Sequence, residues 1–150
     1  ATKDEETKKR IFDFYISIAG KLSGWDLVDT TASQIVGHFI HNYSKDYSVL
    51  YTLANGNVWE RRIAIIATRY FIKHKEYEPT LKISAMLLHD NQDLIHKAVG
   101  WMLREVGKKD EKALERFLRE YYKKMPRTML RYAIEKFDAE RRKKYLMGEI

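Results

Sequence analysis

The chain has 150 residues, a hydrophobic fraction of 45% and a formal net charge of +7, which supplies one continuous core and excludes a disordered tail. The absence of cysteine excludes a disulfide framework, a thiolate nucleophile and thiolate-rich zinc sites. No apolar run approaches the roughly 18 residues of a membrane span, and the opening ATKDEETKKR has no signal-peptide core; a soluble, cytoplasmic monomer with no membrane association is expected.

The charge is uneven. Residues 1–93 carry 12 Lys/Arg and 12 Asp/Glu, while residues 94–150 carry 16 and 9, so the whole excess lies in the C-terminal part. A field of that sign attracts polyanions, nucleic acid first and acidic membrane second. A charged face serving solubility alone has the same composition.

Apolar residues recur at three- and four-residue spacing throughout, and no stretch alternates long enough for a strand. The pattern predicts helices at approximately 4–22, 25–43, 46–55, 58–74, 79–89, 92–107, 110–124, 126–136 and 138–147. Gly24 and Gly56-Asn57 interrupt it, Pro79 and Pro126 suit first-turn positions, and Asp110 and Asp138 suit N-caps. In the second segment an i+4 row runs Trp25, Asp29, Ser33, Gly37, and the two small residues are expected to let a bulky ligand approach the helix. In the fourth, Trp59, Arg62, Arg69 and Lys73 share one side.

The segment 92–107 has two faces. Ile95, Val99, Met102 and Val106 form an apolar stripe, and Lys97, Trp101, Arg104 and Lys108 form a second one displaced by two residues, about 200° around the helix. Arg62, Lys97 and Arg131 occupy equivalent points of successive segments, 35 and then 34 positions apart, and Asp29 lies 33 before Arg62. Such a period marks stacked helical hairpins. The expected fold is therefore an all-α superhelix, a solenoid whose lining helices carry a row of cations with one carboxylate among them.

The segments WDLVDTTASQIVG (25–37), VWERRIAI (58–65), DLIHKAVGWMLREVGKKD (93–110) and MPRTMLRYAIEK (125–136) together resemble the AlkD-like DNA alkylation repair family over nearly the whole chain. The resemblance implies HEAT-like repeats holding duplex DNA on a concave side, and a glycosylase that releases N3- and N7-alkylated purines. It implies Asp29 as the catalytic carboxylate, Trp25 and Trp101 as aromatics beside the lesion, and Arg62 as the arginine of the family's Trp-x-x-Arg helix. Members of the family carry roughly two further helical repeats on the N-terminal side, so residues 1–150 are expected to be one helical-repeat domain, the C-terminal part of a longer array. Association with the nucleoid when bound to DNA is expected as well.

The chemistry suits these residue types. An alkylated purine leaves as a neutral base and needs no general acid; what remains is a sugar with oxocarbenium character, which an ionised carboxylate stabilises while orienting the attacking water. Ordinary glycoside hydrolysis uses two carboxyl groups because its leaving group is poor. Tryptophans would pack on the deoxyribose, Arg62 would hold a phosphate beside the lesion, and Lys97, Arg104, Lys108 and Arg131 would track the backbone without reading sequence. With no long loop or apolar wedge in evidence, the lesion is expected to be handled in or near the duplex.

The five histidines are scattered, and His38 and His41 lack a Glu-x-x-His context, so no metal site is expected and no cofactor is implied. The alternative function is a basic helical-repeat module that binds DNA without chemistry. Asp29 among the tryptophans argues for the enzyme, because a groove that binds only phosphate gains nothing from a carboxylate facing its ligand.

Overall fold

The computed structural model describes residues 2–150. Its helices are α1 (Lys3–Ile18), α2 (Trp25–Ala32, continuing through Ser44), α3 (Ser48–Leu53), α4 (Val58–Lys73), α5 (Glu78–Met86), α6 (Asp93–Lys109), α7 (Glu111–Tyr121), α8 (Arg127–Ala133) and α9 (Ala139–Leu146). Among the described residues there is no strand. Each helix corresponds to one expected from the apolar spacing.

Local chemistry sets the starts. Thr2 caps α1 by accepting from the Glu5 N–H at 3.1 Å. Asn57 and Glu60 form a reciprocal capping box at α4. Asp110 and Asp138 accept from the Ala113 and Arg141 N–H groups, as their positions predicted. Pro79 lies in the first turn of α5 and Pro126 immediately before α8. Two stops had no glycine to announce them: Lys45 and Lys75 both adopt the left-handed conformation, at φ 55° and 62°.

The helices form two layers. Helices α2, α4, α6 and α8 pack in succession, each on the next, and the odd-numbered helices pack against them from the other side. Neighbours in the even layer run parallel, since their pairings advance together. Asp29 meets Arg62 and Asn42 meets Tyr70; Arg62 meets Leu94 and Arg69 meets Trp101. This is the geometry of stacked helical hairpins, an all-α helical-repeat fold.

The core lies between the layers. In α6 the apolar stripe Ile95, Val99, Met102 and Val106 is fully buried. In α4 burial is continuous from Arg62 to Thr68, because that helix has a neighbour on both sides within its layer and the odd helices behind it.

Two features of the even layer depart from expectation. The segment 25–43 is not a uniform α-helix: it widens into π-helical turns at Ser33–Gly37 and Ile40–Ser44. Ser33 and Gly37, expected to make room for a ligand, are buried. A Cβ on Gly37 would lie 2.4 Å from the Ala67 carbonyl oxygen and 2.6 Å from Tyr70 Cβ, so the missing side chain serves the α2–α4 contact. Gly100 plays the same part between α6 and α8, where a Cβ would meet Tyr132 Cβ at 2.5 Å and the Met129 carbonyl at 2.7 Å. Glycine at these positions lets neighbouring backbones close together.

Candidate active site

A cleft of about 380 Å³ opens on the even layer, lined by Trp25 and Asp29 of α2, Arg62 of α4, Leu94, Lys97, Trp101 and Arg104 of α6, and Tyr132 of α8. One residue starts its assembly. Gly24, immediately before α2, has φ 114°, a conformation open to glycine and strained for other residues. The turn it makes delivers Trp25 as the first helical residue and leaves that indole 52% exposed at the mouth of the cleft. A larger depression of about 670 Å³ lies between α5 and α7, away from every residue just named.

At the floor, Arg62 grips Asp29 with two parallel bonds: Nε donates to Oδ1 at 2.9 Å and Nη2 to Oδ2 at 2.8 Å. Its Nη1 donates to the main-chain carbonyl of Leu94. One guanidinium thereby ties α2, α4 and α6 together. Arg62 is only 5% exposed, and an arginine this deep needs such a set of acceptors.

The bidentate pair orients the carboxylate without exhausting it. A carboxylate offers about four acceptor positions, and Arg62 uses two. The Asp29 side chain keeps 15% of its surface and borders the cleft. Such a group can stabilise positive charge developing beside it, or hold a water. The walls are aromatic: Trp25, Trp101 and Tyr132. Arg69 of α4 lies over the Trp101 ring, its Cζ 5.4 Å from the centroid, which steadies the indole through a cation–π contact.

The other expected site residues are distributed as follows. Lys97 and Arg104 border the cleft, but each is joined to an acid, Lys97 to Asp93 at 3.1 Å and Arg104 to Glu135. The hydrogen bond that Lys97 donates to Asp93, together with the charge of that carboxylate, raises the Lys97 pKa above the ordinary lysine value. Lys108, one turn beyond Arg104, lies outside the cleft lining and pairs with Glu105 at 3.0 Å. Arg131 is exposed and outside the cleft as well. Arg62, expected to hold a phosphate, is instead buried and committed to Asp29 and Leu94, because the interior of the layer needs its charge balanced there.

Sequence reasoning missed Tyr132 and the Leu94 carbonyl. A signal for Tyr132 was available: the step from Arg62 to Lys97 is 35 positions, and the same step again lands on Tyr132, one residue past the Arg131 chosen. A main-chain acceptor such as Leu94 leaves no mark in a sequence.

Among the described residues no three His, Cys, Asp or Glu side chains converge as a metal site would require. His41 contacts Glu76 at 3.2 Å and stacks on His74. No helix is long and apolar enough to cross a membrane.

A sequence model of the family described as DNA alkylation repair enzyme matches residues 1–137, a span that contains every residue of the cleft. No curated protein matches the chain.

Proposed function

The chain belongs to the DNA alkylation repair enzyme family, and from that membership we propose that it is a DNA glycosylase hydrolysing the N-glycosidic bond of N3- and N7-alkylated purines in duplex DNA. The reading rests on one observation above the rest: a carboxylate, Asp29, held by a buried guanidinium at the floor of an aromatic cleft on the even layer. Structural ion pairs have no need of a tryptophan-lined opening.

In this mechanism the lesioned nucleotide enters with its deoxyribose against Trp25 and Trp101. As the bond to the alkylated base stretches, the electron pair leaves with the base, which departs neutral because the lesion already carried the positive charge. The sugar becomes electron-poor. Asp29, through the acceptor positions that Arg62 leaves open, stabilises that charge and orients the water that attacks the anomeric carbon. Arg62 acts as a positioning residue: it fixes the plane of the carboxylate and balances it in a dry site. Tyr132 of α8 adds a third aromatic to the lining.

Lys97 and Arg104 would exchange their carboxylate partners for phosphates as DNA arrives, a trade that costs little for partly exposed pairs. Lys108 and Arg131 extend the field further along the same helices.

A second reading, a DNA-binding module without chemistry, draws on the same pair, since both Asp29 oxygens are already engaged. Incubation with duplex containing 7-methylguanine separates the two. Release of free base by the parent protein and none by Asp29→Asn is the expected result; tight binding with no release by either would establish the module.

A further inference from the structure

Four of the five cations named from sequence are already engaged within the chain, and the fifth, Arg131, is exposed outside the cleft. Lys97, Arg104 and Lys108 each have an acidic partner within the chain, and Arg62 is buried in its pair with Asp29. Arg69 does not follow them. It lies on α4 seven residues beyond Arg62, roughly 10 Å along the helix, and pairs with no acid among the described residues. Its guanidinium rests on the Trp101 indole, and its Nε is shielded from solvent and donates to nothing. Lys73, one turn further on, is exposed and, among the described residues, also without an acidic partner.

We propose that Arg69, extended by Lys73, is the residue pair that holds the phosphodiester backbone of the duplex beside the cleft. The inference rests on the reading of the even layer as a DNA-binding surface, and it moves the phosphate contact from Arg62 to the next accessible arginine of α4. The chemistry fits on three counts. A guanidinium with no internal acid has no ion pair to break before taking an anion. Its planar fork matches two phosphate oxygens through the terminal nitrogens. The Trp101 ring beneath restricts the side chain in advance, so little freedom is lost on binding. Trp101 thereby both lines the cleft and supports a phosphate-binding arginine.

The test uses undamaged duplex, so that it reads backbone binding whether or not base excision occurs. Affinity is measured by fluorescence anisotropy over a series of salt concentrations for the parent, Arg69→Gln, Lys73→Gln, Arg69→Lys and Lys82→Gln, the last removing a charge from α5 in the other layer. Each lost phosphate contact flattens the slope of log affinity against log salt by about 0.9. Arg69→Gln and Lys73→Gln are expected to show that loss, with affinity for the first falling roughly tenfold at fixed salt. Arg69→Lys keeps the charge and is expected to keep the slope while losing part of the affinity. Lys82→Gln is expected to match the parent. An unchanged slope in a folded Arg69→Gln protein overturns the proposal. So does an equal flattening in Arg69→Lys, which would mean that displaced Trp101 packing is responsible, or in Lys82→Gln, which would mean that any lost charge suffices.

Discussion

Arg62 spans three helices with one side chain, holding both oxygens of Asp29 on α2 and the Leu94 carbonyl on α6 from its place in α4. Carboxylate orientation and packing of the even layer are therefore one problem with one solution. A change at either residue acts on stability and on chemistry together, and the two effects separate only when both are measured.

Asp29→Asn keeps the shape and one acceptor for Arg62 but removes the negative charge. Release of 7-methylguanine in single-turnover assays is expected to fall at least about 100-fold, while affinity for undamaged duplex stays within a few-fold of the parent. Excision near the parental rate would remove Asp29 from the mechanism.

Arg62→Ala leaves Asp29 without its counter-charge in a mostly enclosed site. Breaking a buried pair from one side costs about 3–5 kcal/mol, to be read from urea unfolding. The salt dependence of duplex binding is expected to be unchanged, since Arg62 is not at the surface; a slope reduced by one contact would return the phosphate role to it.

Gly100→Ala sets two effects against each other. Alanine gains about 0.8–1 kcal/mol of helix propensity, but its Cβ would stand 2.5 Å from Tyr132 Cβ and 2.7 Å from the Met129 carbonyl. Overpacking of that kind costs about 1–3 kcal/mol, and neither neighbour is the free end of a flexible chain. Net destabilisation is expected in thermal melts, with reduced excision because Tyr132 is displaced from the cleft wall. Gly37→Ala is expected to behave alike in stability through Ala67 and Tyr70.

Asp138 shows how pH acts at a helix end. The Arg141 N–H, with help from the Arg141 side chain, holds the Asp138 carboxyl below its ordinary pKa. The unfolded chain therefore takes up that proton first on acidification, and the stabilisation is present above the usual carboxylate range and lost as pH falls through the folded value. Melting temperatures of the parent and Asp138→Ala are expected to differ at neutral pH and to converge in acid. A constant gap across that window would rule out the ionised cap as its source.

Apolar spacing of three and four residues placed the helices, and the period of 33 to 35 residues marked which belong to one layer, because a repeat buries its apolar stripe against the next copy and leaves a periodic trace. It was insufficient at single-residue scale. The widened turns shift the phase of the rest of α2 after Ser33, and a drift of one position between repeats put Tyr132 rather than Arg131 in the cleft.

The amino-acid order by itself determined the helical-repeat architecture, the basic C-terminal part and the family, since these depend on spacing and composition that any stretch of the chain displays locally. Tertiary structure alone decided which charges are available. Arg62, Arg69, Lys97 and Arg104 read alike as cations on a line, yet one is buried against Asp29, two are paired across or along helices, and Arg69 rests on an indole with no acid beside it. For the three arginines that difference arises from which neighbouring helix supplies a carboxylate or an aromatic ring within reach, and such neighbours lie about thirty residues away in the chain, whereas the partner of Lys97 is four residues before it on the same helix.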